Sequence, residues 1–137
     1  MAVGALIGSL VNNHLAAFAL GFLSHLPLDV IPHFDFKDYR IDALLTVAML
    51  GGLLLAAGFS PVLLAALGAV VPDFENLLWK MGIINEKRKI FPTHSGMIEH
   101  GRALTGGVPA EIAVSAFSVA AAVLAVVLRG MLRGGIS

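Results

Sequence analysis

"IDALLTVAMLGGLLLAAGFSPVLLAALGAVVPDFENLLWK", residues 41–80, decides the fold class. It contains two apolar runs, residues 41–59 and 60 onward. Each approaches the roughly 20 residues a helix needs to cross a hydrocarbon core. Leu, Ala, Val and Gly dominate both, without the alternation of a half-buried strand. Between them, Ser60 and Pro61 read as an N-cap followed by the first residue of a new helix. The turn at Gly58 to Ser60 is short and uncharged.

Two further apolar stretches flank this pair. One runs from about Ala2 to Ile31, interrupted by Asn12, Asn13 and His14. The other starts at "VPAEIAVSAF", with Pro109 at a first helical position and Glu111 in the first turn, and ends near Leu132. The expected architecture is an all-α, single-domain, polytopic membrane bundle of about four transmembrane helices, with the polar loops on one side. Gly51, Gly52, Gly58 and Gly68 are expected to allow close helix contact. The N-terminal stretch lacks the basic region of a secretory signal and reads as part of the mature chain.

Composition supports lipid as the solvent. Of 137 residues, 58% are hydrophobic and 13% charged, with mean hydropathy +0.89. Soluble domains carry about 25% charged residues, so this chain is short of the polar surface a soluble globule requires. Net charge is zero, against the basic excess of nucleic-acid binders. Cysteine is absent, which excludes disulfides and thiolate metal sites. Any metal must be held by His, Asp, Glu or backbone oxygen.

With four spans, Lys37, Arg40, Lys80, Lys87, Arg88, Lys89 and Arg102 share one side, against Arg129 and Arg133 on the other. The positive-inside rule puts the polar side in the cytoplasm and both termini opposite. Tyr39 and Trp79 fall where interfacial aromatics belong. The chain is thus expected in a membrane, with its polar side facing the cytoplasm.

The polar side also holds the chemistry. "GFLSHLPLDVIPHFD", residues 21–35, gathers His25, Asp29, His33 and Asp35 in a chain that otherwise avoids charge. His25 and Asp29 stand four apart, on one helix face and about 6 Å apart along the axis. That spacing suits two ligands of one metal or of a metal pair, and ionisable groups at such depth are costly and usually functional. His14 would lie roughly 16 Å from His25 on a straight helix. Either the helix breaks at Asn12-Asn13, or His14 has another partner.

Pro72 interrupts the third run, and Asp73 and Glu75 follow. Beside a helix break, either carboxylate can turn inward or merely stabilise a helix N-terminus. Asp38 and Asp42, among Lys37 and Arg40, read as solvated loop residues. The run 85–89 reads as an anchor for anionic lipid. "FPTHSGMIEHGR" adds His94, Ser95, Glu99, His100 and Arg102 in a Gly/Pro-punctuated loop. Imidazole and carboxylate without sulfur suit Zn, Mn or Fe.

"NHLAAFALGFLSHLPLD", "GAVVPDFEN" and "PTHSG" resemble the motifs of the YdjM-like family of predicted membrane-bound metal-dependent hydrolases. On that resemblance His14 matches the family's first-helix His and Asp73 its "LPD" Asp. His94 and Ser95 match its "THS" segment, and His25 with Asp29 its "SHLLLD"-type helix end. The order of the motifs differs here, and Asp29 within "LPLD" can also take the "LPD" part. The family is similar in motif style to zinc-dependent phospholipases C, which implies phosphoester hydrolysis.

The expected function is a metal-dependent hydrolase acting on a phosphoester of a membrane lipid. Its ligands are expected from His25, Asp29, Asp73 and His94, with His14 and His33 in reserve. Glu99 or His100 would act as general acid or base, and Arg102, Lys87, Arg88 and Lys89 would hold anionic headgroups. The metal is a divalent transition ion, Zn first, with Mn or Fe as alternatives. The alternative function is metal-ion binding or transport without hydrolysis. The chain's small size leaves a homo-oligomer open.

Overall fold

The computed structural model describes residues 1–31, 38–99 and 101, and six positions between 116 and 127. Among these the chain is helical, without strands: α1 (Ala2–Leu10), α2 (His14–Val30), α3 (Tyr39–Ala57), α4 (Pro61–Lys80) and a short 3-10 turn, Glu86–Arg88. Ala116, Phe117, Ala120, Val123, Leu124 and Val127 are also helical. Most of the fourth expected span otherwise lies outside the described residues. Two helices, α3 and α4, are long and apolar enough to cross a membrane.

The first apolar stretch is two helices. Asn13 caps α2, its side-chain oxygen accepting from Ala16 N–H at 2.9 Å. An Asn side chain that satisfies an orphan donor starts a helix here and so ends the preceding one. At nine residues α1 is about 14 Å long, too short to span a core of about 30 Å. It runs antiparallel to α4, with Gly8 beside Pro61 and Val62 and Gly4 beside Ala65 and Ala69. The chain's start therefore points back toward the end of the bundle where α2 and α4 finish.

Helix α4 is the hub, packing on all three other long elements and most extensively on α2. Small residues make this approach close. Ala65, Ala66, Gly68 and Ala69 are buried along α4, facing Gly4 and Gly8 of α1 and Ala17 and Gly21 of α2. A methyl group on Gly21 would run into the Ala65 backbone, and one on Gly68 into the Phe18 carbonyl. Without a hydrophobic force between helices in lipid, such contact is how dispersion and backbone packing hold helices together.

The expected role of glycine is thus corrected in part. Gly68 works as expected, but no described atom comes within 4 Å of a Cβ placed at Gly51 or Gly52. Gly58 serves the turn instead, closing α3 at φ +61°, a conformation that disfavours side chains. Ser60 then caps α4, as its sequence suggests.

Neither proline breaks its helix. Pro27 lies inside α2 and Pro72 inside α4, so each helix loses one backbone donor and continues. Asp73 and Glu75 are therefore late in α4, three turns past its N-terminus, and the helix-start reading of both is excluded. Helix α3 begins at Asp38, whose side chain accepts from Arg40 N–H at 2.9 Å, with Asp42 in its first turn. Both acids thus belong to a helix start and not to a solvated loop.

Candidate metal centre

Helices α2 and α4 run parallel, and their matching ends bring His25 and Asp29 against Asp73 and Glu75. The chain after α4 turns back over this end, and residues 91–95 form a turn in which His94 and Ser95 N–H both reach the Phe91 carbonyl. His94 thereby drops onto the His25/Asp29 face. Gly101 N–H bonds the Asp29 carbonyl at 2.7 Å, tying the returning chain to the end of α2.

Asp29 sits at the centre. One carboxylate oxygen, Oδ1, lies 3.1 Å from His25 Nε2; the other, Oδ2, lies 3.2 Å from His94 Nε2. Thr93 Oγ1 donates to that second oxygen at 2.6 Å and fixes the carboxylate plane. Asp73 Oδ1 lies 3.5 Å from His25 Nε2 on a side chain about half exposed. Two ligand atoms on one tetrahedral ion with bonds of about 2.0–2.1 Å stand about 3.3 Å apart. All three separations fall near that value.

The histidines are oriented from behind. His25 Nδ1–H donates to the Ala69 carbonyl at 2.8 Å, so in the neutral ring Nε2 carries the lone pair. That nitrogen is buried and, among the described residues, makes no hydrogen bond. A bare lone pair between two carboxylates is repulsive unless a proton or a metal ion lies between them. His94 Nδ1 faces Glu75 Oε2 at 3.5 Å, and a carboxylate there favours the proton on Nδ1. Each histidine thus turns Nε2 toward Asp29; an oxygen holds the other nitrogen of His25, and Glu75 stands 3.5 Å from that of His94, an arrangement like the outer support of metal-bound imidazole.

Glu75 does more than face His94. Its two oxygens accept the backbone N–H groups of Ile90 and Phe91, the latter at 3.0 Å. It therefore anchors the start of the turn that carries Thr93 and His94. Phe91, held this way, closes the site's apolar flank: its ring packs edge-on to His25 at 5.3 Å and Phe22 at 5.6 Å. His25, Asp29 and His94 form the group of potential ligands whose donor atoms all lie within 4.8 Å of one another.

The other expected residues divide clearly. His14 is at the opposite end of α2, exposed, its ring stacked on Phe59 at 5.9 Å. The chain does not bring it to the trio, because His25 follows it by 11 positions in one continuous helix. Lys87 and Arg88 are exposed on the 3-10 turn, whereas Lys89 is buried and lines the crevice over the site. Glu99 is exposed. His33, His100 and Arg102 lie outside the described residues.

Two contributors escaped the sequence reading. Glu75 was weighed only as a possible inward carboxylate or helix-end charge, and Thr93 not at all. The usable signal was Thr93's place beside His94, since a hydroxyl next to a ligand often fixes a carboxylate. For Glu75 no local signal exists, because its partners are 15 and 16 residues away.

No family model, curated protein or solved structure matches this chain.

Proposed function

We propose that this chain is a membrane-embedded, metal-dependent hydrolase acting on a phosphoester of a membrane lipid at the cytoplasmic face. The observation that carries the reading is the convergence of His25 Nε2, His94 Nε2 and both oxygens of Asp29, with the two Nδ1 atoms turned to oxygen acceptors. Such a set binds a divalent ion, Zn before Mn or Fe, and three protein ligands leave a position for water. A bound divalent ion supplies an activated water and neutralises phosphoryl charge. Asp73, half exposed beside His25, is placed to join as a ligand or to accept a proton from that water. The motif resemblance to YdjM-like proteins supports the same class.

The site opens into a crevice of about 380 Å³ between α3 and α4, lined by Asp42, Asp73, Lys80, Lys89 and Trp79 among others. A substrate there would reach the trio from the lipid side of the bundle. The paired test is elemental analysis with a hydrolysis assay. Purified protein is expected to hold one or two equivalents of transition metal, lost in His25→Ala and Asp29→Ala. It should also release phosphate or phosphorylated headgroup from a mixed phospholipid and polyprenyl phosphate pool. Metal without turnover would leave the metal-binding or transport alternative. Full metal retention in both variants would remove the site from this position.

A further inference from the structure

Of the two lysines among the described residues that line the crevice, Lys80 is exposed and Lys89 is buried. Lys89 is only 9% exposed, while its neighbours Lys87 and Arg88 are exposed. Its ammonium stands 3.6 Å from the centre of the Trp79 ring. The ion pairs among the described residues join His25, His94, Asp29, Asp73 and Glu75, and none of them includes Lys89. A buried ammonium with no ion-pair partner in contact is costly, and a ring face offsets only part of that cost. Water was within reach one residue away. The buried position therefore calls for an anion.

The surroundings indicate which one. Lys89 lines the same crevice as Asp29, Asp73 and His94, so an anion on Lys89 lies beside the metal trio. Another wall is apolar, formed by Ala43 and Val47 of α3 with Val70 and Leu77 of α4. Helix α3 has no buried residue, so this wall continues onto a face open to lipid. We infer that the crevice binds the phosphate group of a phosphorylated apolar chain. The phosphate would lie between Lys89 and the trio, with the chain leaving along the α3–α4 wall. A volume of about 380 Å³ accommodates a phosphate and the first part of a chain. Trp79, whose ring carries the ammonium, marks the headgroup level where such a phosphate resides.

This inference takes its substrate class from the hydrolase reading, but its test requires binding and not turnover. Trp79 is the sole tryptophan, so intrinsic fluorescence reports on the Lys89 contact. The full chain, in detergent and as purified, would be titrated with the non-hydrolysable phosphonate analogue of dioctanoyl phosphatidic acid, dioctanoylglycerol and inorganic phosphate. Fluorescence would be followed for the wild type, and calorimetry used for all variants. The expected result is a saturable Trp79 response to the phosphonate, with inorganic phosphate and dioctanoylglycerol each at least tenfold weaker. Lys89→Met should weaken phosphonate binding at least tenfold, Lys89→Arg less than threefold, and exposed Lys87→Met less than twofold. The arginine variant guards against loss of fold in the methionine one. Equal affinity for dioctanoylglycerol would make the crevice merely apolar, and equal affinity for inorganic phosphate would make it a free-anion site. Either outcome overturns the inference, as does a Lys89→Met affinity within twofold of wild type. Lipid binding by a protein that holds no metal and hydrolyses nothing would sink the hydrolase reading and leave this one standing.

Discussion

Replacing Glu75 by Gln tests the centre through a residue outside the trio. In the native site one carboxylate accepts two backbone N–H groups, of Ile90 and Phe91, and faces His94 Nδ1. A Gln side chain offers one oxygen and one amide NH2. If the oxygen keeps one backbone donor, the NH2 opposes the other; losing the part-buried Phe91 N–H bond costs about 1–3 kcal/mol, and losing the exposed Ile90 one costs less because water replaces it. If the NH2 instead donates to His94 Nδ1, the imidazole switches tautomer and places a proton on Nε2. That proton then points at Asp29 Oδ2, where the metal should bind. Both outcomes weaken metal binding without touching a ligand. Loss of an outer partner of this kind typically lowers metal affinity 10–100-fold, which corresponds to about 1.4–2.7 kcal/mol. The assay is competition with a chromophoric chelator, run on wild type and Glu75→Gln in the same detergent. Glu75→Asp serves as a control that keeps the charge with a shorter reach, and it should fall between the two. Metal affinity of Glu75→Gln within twofold of wild type would refute the claim that Glu75 sets the state of His94.

Four other outcomes follow from the same geometry. Asp73→Asn should leave the protein folded and inserted while cutting turnover at least tenfold; an unchanged rate, measured beside the melting temperature, would make Asp73 a bystander. Gly21→Ala should destabilise the bundle by about 1–3 kcal/mol, because its methyl meets Ala65 backbone. Gly51→Ala, where no described atom is near, should be neutral or stabilising by up to about 1 kcal/mol; equal thermal shifts in the two would contradict the packing. Because the chain has no cysteine, single cysteines at Lys87 and Phe59 give clean topology labels. Lys87→Cys should be labelled from the cytoplasm and Phe59→Cys from the opposite side, and the reverse pattern would invert the bundle. Acidification should release metal, since imidazole and carboxylate bind it only when deprotonated; metal retained through strong acidification would argue against this ligand set.

What the sequence determined by itself was local and periodic. Apolar runs without alternation gave helices, Ser60-Pro61 marked the start of one, and His25 with Asp29 shared a face because four residues make about one turn. Each of those features is decided within a few residues, so no neighbour was needed to read it. The choice between one helix and two before residue 31 was also local in cause, resting on Asn13 and Ala16, but the sequence left both readings open. Pro72 misled in the opposite sense. A missing donor permits a break without enforcing it, and packing of α2 on α4 kept both helices continuous. Only the tertiary structure could bring His94 to Asp29 across 65 positions, turn Glu75 onto the 90–91 backbone, and leave His14 at the far end. It also separated Lys89 from Lys87 and Arg88, which composition treats alike. The physical reason is the same in each case. A side chain's type and its place on a helix face are fixed by the chain nearby, whereas its partner is fixed by how closely two helices approach, and here Gly21 and Gly68 set that distance.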